Sequence, residues 1–179
     1  MTHGVLPHKV EVRTLAARAV ELEGRLDPAK LPRLQAAGVS AQLPVRVQAR
    51  FFKDEESRYA VDLAVQASVT VTCQRCLGAL EENLKSRSLL VALWSDEEAG
   101  QLPPRYDPLV TEAEMDLWQV VEDELLLVLP SFSYHSDTNC GAQTGVISQD
   151  GANGQSAEQG GEQVNPFSML KVLKEDNPE

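Results

Sequence analysis

The chain has 179 residues, enough for one domain with a genuine core plus appendages and too few for two ordinary domains. Its 27 acidic and 16 basic side chains give a formal net charge of −11, which opposes indiscriminate binding to a phosphate backbone unless the bases gather in one patch. Three cysteines are too few for a secreted disulfide framework. The N-terminal "MTHGVLPHKVEVRTLAARAVELEG" lacks the apolar stretch of a signal peptide, and the longest apolar run, "LLLVLP", falls far short of the ~18 residues that span a bilayer, so a soluble, cytosolic protein is expected.

In chain order, His3 and His8 fall in a loose, solvated N-terminus, and "VELEGRL" (20–26) alternates as a strand with one wet face. "DPAKLPRLQAAG" has Asp27 as cap, Pro28 at the first helical position and Gly38 as stop, and predicts a short N-terminal helix, with Pro32 working against it. "LPVRVQARF" alternates through Leu43, Val45, Val47, Ala49 and Phe51; "KDEES" is a charged turn. The run from Tyr59 through Val61, Leu63, Val65, Val69 and Val71 to Cys73 keeps a period near two, so an antiparallel hairpin is expected. "ALEENLKSRSLLVALW" fits helix or strand and is read as strand from Leu84 onward. The acid-, Pro- and Gly-rich segment 95–115 reads as a surface crossing.

The strongest helical signal spans 116–129. Asp116 and Gln119 form a capping-box pattern, Leu117, Val120, Val121, Leu125, Val128 and Leu129 recur at three and four, and Pro130 ends the run. Residues 141–163 carry almost no large apolar side chain and cannot offset the entropy of ordering, which predicts a flexible Gly/Gln/Ser-rich tether. "NPFSMLKVLK" then opens with Asn165 and Pro166 and brings Phe167, Leu170 and Leu173 to one side of a short amphipathic helix within 164–179. The expected architecture is α+β: one domain over 1–140 with a largely antiparallel sheet, the tether, and the tethered C-terminal helix.

Chemistry concentrates at two places. "VTCQRCLG" sets Cys73 and Cys76 two residues apart before Gly78, and "SYHSDTNC" sets His135 and Cys140 beyond the capped helix. Together they make a Cys3His set suited to structural zinc at ~2.0–2.3 Å per ligand. Two alternatives stay open: a redox pair, which needs C-x-x-C at a helix start, and reduced thiols packed at a strand end with Cys140 idle. The second place is Glu122, Asp123 and Glu124. Consecutive helical residues point ~100° apart, so the three cannot converge on one substrate; a solvated face, with one carboxylate buried against Arg75 or another base, is the expectation. No phosphate loop, nucleophile elbow or histidine–nucleophile set is present, and Trp94, Trp118 and Tyr134 read as core or groove aromatics.

The succession "CQRC", "YDPLV", "MDLWQVVEDELLLVLP", "HSDTNC" and "NPFSMLKVLK" resembles the bacterial YceD family, the large ribosomal RNA subunit accumulation proteins, from about Val69 to Lys174, while the N-terminal third matches only in pattern. The resemblance implies a cytosolic, non-enzymatic factor for accumulation of 23S rRNA, acting in synthesis, processing or assembly of the large subunit. It marks Cys73, Cys76, His135 and Cys140, and as partner-binding candidates Glu122, Asp123, Glu124, Asn165, Pro166 and Phe167. With the acidic charge, it favours a ribosomal protein or assembly factor as partner, with pre-ribosomal RNA affected indirectly. One alternative is direct RNA binding through Arg46, Arg50, Lys53, Arg58 and Arg75; another is an rRNA-processing enzyme or thiol oxidoreductase.

Overall fold

Three long strands carry the fold in the computed structural model, which describes residues 2–141. In chain order the elements are β1 (Thr2–Val5), β2 (Lys9–Val10), α1 (Val12–Ala17), β3 (Glu21–Leu26), α2 (Pro32–Ala36), β4 (Val45–Lys53), β5 (Tyr59–Thr72), β6 (Ala79–Leu93), β7 (Asp107–Val110), β8 (Met115–Asp116) and α3 (Leu117–Leu127), with 3-10 turns at Pro28–Lys30 and Asp96–Gln101. The main sheet runs β1-β3-β4-β5-β6-β7. Its central pairings are antiparallel, its outer strands β1 and β7 join in parallel, and β2 pairs with β8 as a separate antiparallel ladder. The architecture is therefore α+β with a mostly antiparallel sheet, as the alternation predicts.

The period of two decides which face is buried. On β4, Val45, Val47, Ala49 and Phe51 point inward and Arg46, Gln48 and Arg50 outward; β5 continues the inner face through Val61, Leu63, Val65, Val69 and Val71. Leu43, which the same alternation would bury, lies before the strand and is exposed. Helix α3 covers this face with Leu117, Val121 and Leu125, all fully buried at i, i+4 and i+8, each contributing about 1.5–3 kcal/mol by removal from water. Its start follows from Asp116, whose carboxylate accepts the Gln119 N–H at 3.0 Å. At the far edge β7 pairs only with Leu90–Leu93 of β6, so the β6 edge from Ala79 to Leu89 has no strand beside it among the described residues.

Four expectations are corrected. The helix expected over 27–38 is two pieces: Asp27 caps the 3-10 turn, and Leu31, pushed out of the helical region by Pro32 (φ −117°, ψ 72°), separates it from α2. The N-terminus is not loose: it forms β1, β2 and α1, and His8 stacks on Trp118 at 4.2 Å with Nε2 2.9 Å from Asp116. Strand β6 begins at Ala79, five residues before Leu84, because pairing to β5 is continuous down to Thr72–Ala79. Segment 95–115 is more than a crossing. Buried Tyr106 joins Ala60, Val91 and Leu93 in a second apolar cluster over the outer face of the sheet, and Met115 enters the main core. The predicted tether and C-terminal helix lie outside the described residues, apart from Gly141.

The buried charges on α3 are structural. Glu122 Oε1 accepts the Arg33 and Leu34 N–H groups at 2.6 and 2.9 Å, satisfying amides at the start of α2 that have no helical partner. Replacing Glu122 with Ala orphans both amides and is expected to cost about 2–4 kcal/mol, read as a lower urea midpoint, whereas Asp123→Ala, which removes an exposed pair with Arg33, shifts it by less than about 1 kcal/mol.

Asp54 behaves similarly at the β4–β5 turn. Burial pushes its pKa up, but the Arg58 N–H and guanidinium and the Tyr106 O–H outweigh this, and the net shift is downward. Asp62 is held low first by its hydrogen bonds from Arg87, against some desolvation. Both folded pKa values lie below the unfolded ones, so this stabilisation is complete above the unfolded value near ~4 and is lost as pH falls through the lower, folded values. Urea titrations between neutral pH and about pH 3 are expected to show that loss, and Asp54→Asn to flatten part of it.

Candidate metal centre

The turn between β5 and β6 is "CQRCLG". Strand pairing stops at Thr72–Ala79, and the six residues between close on themselves: Cys73 N–H donates to the Gly78 carbonyl at 2.9 Å and Leu77 N–H to the Cys73 carbonyl at 2.9 Å. Leu77 adopts φ 59°, so the left-handed position that closes the turn falls on leucine. Gly78 N–H reaches Cys76 Sγ at 3.4 Å. The chain after α3 returns to this tip, where Gln74 N–H donates to the Ser133 carbonyl at 2.8 Å.

The return brings His135 and Cys140 against the two hairpin cysteines. The four potential ligand atoms all lie within 4.8 Å of one another, with Cys73 Sγ 3.9 Å from Cys140 Sγ and Cys76 Sγ 3.3 Å from His135 Nδ1. A tetrahedral site with bonds of ~2.3 Å has edges of about 3.8 Å, so these separations suit one central ion. His135 Nε2 lies 3.0 Å from the Ala79 carbonyl, which can only accept; that nitrogen carries the proton and Nδ1 presents its lone pair to the sulfurs. Cys73 is fully buried; Cys76, His135 and Cys140 are half-buried.

The surroundings favour thiolate at Cys73. Burial pushes the Cys73 thiol up, but backbone N–H groups of Cys76, His135 and Arg75 and the Cys76 side chain more than reverse this and bring it to about 5. Cys140 is raised, first by desolvation and then by the neighbouring sulfurs, against a lowering contribution from Arg75. The Arg75 guanidinium lies 3.6 Å from Cys140 Sγ and 2.9 Å from the Asp137 carbonyl, and over the Tyr134 ring. Sequence reasoning missed Arg75 and the Ala79 carbonyl as supports of the cluster; the position of Arg75 inside C-x-x-C is the one available signal. The redox arrangement also requires a helix start, whereas this motif sits at a hairpin tip, with Cys73 facing Cys140.

The other candidates are dispersed. Glu122 is buried against backbone amides rather than Arg75, Glu124 is buried and accepts the Ser86 O–H, and Asp123 pairs with Arg33. The acidic run therefore offers no common outward face. Asn165, Pro166 and Phe167 lie outside the described residues. Arg46, Arg50, Lys53, Arg58 and Arg75 form no single patch: Arg58 precedes β5 and Arg75 follows it, while Arg50 and Arg58 are paired with Asp62 and Asp54. Among the described residues no helix is long and apolar enough to cross a membrane.

Cobalt(II) added to the reduced protein is expected to bind one ion per chain with intense visible bands of tetrahedral geometry and near-ultraviolet thiolate-to-metal absorption. Cys140→Ser should remove about a third of the thiolate band, since one sulfur of three is lost. Titration by absorbance checks both; weak octahedral bands would show that the four side chains do not act together.

The family model described as large ribosomal RNA subunit accumulation protein YceD matches residues 61–174. The curated large ribosomal RNA subunit accumulation protein YceD of Haemophilus influenzae is 29% identical over 172 residues, 95% of this chain and 97% of its own length. No solved structure matches. The family model begins at the third residue of β5, takes in the hairpin cysteines, α3 and the His135/Cys140 segment, and covers more than half of the sequence: the chain belongs to the YceD family.

Proposed function

We propose that this chain is a non-enzymatic factor of the bacterial cytoplasm that supports accumulation of large-subunit ribosomal RNA, acting on pre-ribosomal particles with its fold closed by one structural zinc ion. The relative's name supplies the process. The observation that carries the structural part is the convergence of three thiols and one imidazole from two distant segments. Such a set fills a tetrahedral shell with protein ligands and keeps no position for substrate, the arrangement of a structural rather than a catalytic zinc. The ion would be held by Cys73, Cys76, His135 Nδ1 and Cys140, and would tie the β5–β6 tip to the chain beyond α3.

A cysteine–histidine nucleophile is the competing use of Cys76 and His135. Two further sulfurs, Cys73 and Cys140, lie within 4.8 Å of that pair, and His135 Nε2 is committed to a backbone carbonyl instead of an orienting carboxylate. The acidic residues of α3 likewise serve the fold.

The test combines metal analysis with RNA measurement. Purified protein is expected to contain one zinc per chain, and Cys73→Ser/Cys76→Ser almost none. Cells lacking the protein are expected to show a lowered ratio of 23S to 16S rRNA, restored by the wild type but not by the double variant at matched protein level. An unchanged ratio in the deletion overturns the ribosomal reading; a metal-free wild type, or full restoration by the double variant, overturns the zinc.

A further inference from the structure

The outer face of the sheet is covered at one end by the Tyr106 cluster and bare at the other, and its charges are arranged differently along its length. Near the covered end Arg50 lies opposite Asp62, and Asp62 takes both Arg50 at 3.2 Å and Arg87 at 2.9 Å, so charge is compensated across strands. Two rows further along, Arg25 of β3 lies opposite Arg46 of β4, Arg46 opposite Gln66 of β5, and Gln66 opposite Lys85 of β6. These four exposed side chains form one straight row across four strands, about 14 Å from end to end at ~4.8 Å per strand. Among the described residues Arg25, Arg46 and Lys85 make no ion pair.

Directly opposed like charges destabilise a sheet, and in a chain of net charge −11 the carboxylates to neutralise them are plentiful. Most acids lie further off, Asp54, Glu55 and Glu56 in the β4–β5 turn and Asp96, Glu97 and Glu98 after β6, both at the covered end, while Glu23 stands one row from Arg25 and lines the same hollow. The row is also recessed. Two adjoining hollows of about 700 and 300 Å³ share Arg25, Arg46 and Gln66 in their walls, with Gln48 in the first and Ser68 and Asn83 in the second.

We propose that this trough holds the phosphate backbone of double-helical RNA, with Arg25, Arg46 and Lys85 on phosphates and the amides of Gln48, Gln66 and Asn83 on phosphate or ribose oxygens. The proposal rests on the ribosomal reading above and names the partner. Charge complementarity selects a polyanion. The absence of aromatic side chains from this stretch of the face removes base stacking and with it the usual grip on single strands, leaving the contacts by which A-form helices are held. An acidic protein would need an apolar anchor at the centre of the contact; the exposed apolar side chains lining the hollows, Val5 on the edge strand β1 and Leu43 before β4, lie at the margins, and between them is only Ala64.

The test is fluorescence anisotropy with the purified full-length chain and a labelled RNA duplex of about 20 base pairs, long enough to exceed the ~16 base pairs a duplex-reading module covers. Three phosphate contacts predict a log–log salt slope near −2.7, a roughly 40-fold loss of affinity between 50 and 200 mM salt. Arg25→Gln/Arg46→Gln/Lys85→Gln, folded by circular dichroism, is expected to lose at least tenfold in affinity at low salt and nearly all of the slope. Arg50→Gln/Arg87→Gln, which removes the cations compensated by Asp62, should stay within about threefold. No binding by the wild type at low salt, or an unaltered slope in the triple variant, overturns the proposal. So does equal binding of polyglutamate by the same face, which would assign it to an acidic protein. In the deletion strain the two readings separate: full rescue of the rRNA ratio by the triple variant overturns the RNA face alone, whereas an unchanged ratio in the deletion removes the ribosomal function while duplex binding is judged in vitro.

Discussion

The register between β5 and β6 is the constraint on which the rest of the molecule depends. Pairing runs unbroken from Ala60–Val91 to Thr72–Ala79, and because side chains alternate with a period of two, a slip of one residue would turn the valines of β5 from the helices to the solvent. The same register brings Gln66 beside Lys85, completing the cationic row, and leaves six residues to make the turn that carries Cys73 and Cys76. Core, outer face and candidate metal centre are three consequences of one ladder. The inner face is locked by the fully buried stripe of α3, and Glu122 on that helix in turn fixes where α2 begins.

Charge is sorted along the strands in a way the net value hides. The acids near the β4–β5 turn are neutralised within the protein: Asp54 by Arg58 and Tyr106, Asp62 by Arg50 and Arg87. At the other end of the outer face the cations stand together with no ion-pair partner among the described residues, while at the hairpin tip Arg75 is turned onto a sulfur and a carbonyl. An acidic pI and a local cationic surface are thus compatible, since the net value sums charges over the whole chain while screening at physiological salt, with a Debye length of ~8 Å, lets a ligand respond mainly to the charges nearest it.

The strands and α3 were legible because their signals are long: nine residues of alternation in β4, fourteen in β5 and a full apolar stripe behind a capping aspartate. The four metal-centre candidates were named by residue type and spacing, although what unites them, a chain return across a 67-residue separation between Cys73 and Cys140, has no local signature. The unread parts are short or depend on tertiary contact. Helix α1 has six residues, β2 and β8 have two each, and Tyr106 sits among prolines and acids with nothing to distinguish it from a surface aromatic. The row Arg25–Arg46–Lys85 was invisible for a different reason: its members come from three strands, and only the registers of three ladders align them.

The open edge of β6 gives the composition of that strand a meaning of its own. Beside Ala79–Leu89 there is no neighbouring strand among the described residues, so a row of amide and carbonyl groups faces outward, the template on which strands of separate copies stack. Within that length lie Glu81, Glu82, Lys85 and Arg87, which another copy laid edge to edge would bring together and desolvate. The valine-rich β5, which lacks such charges over much of its length, is enclosed between β4 and β6. The order of strands thus places the valine-rich segment inside the sheet and the charged one at its margin, where edge-to-edge stacking would require those four charges to be desolvated.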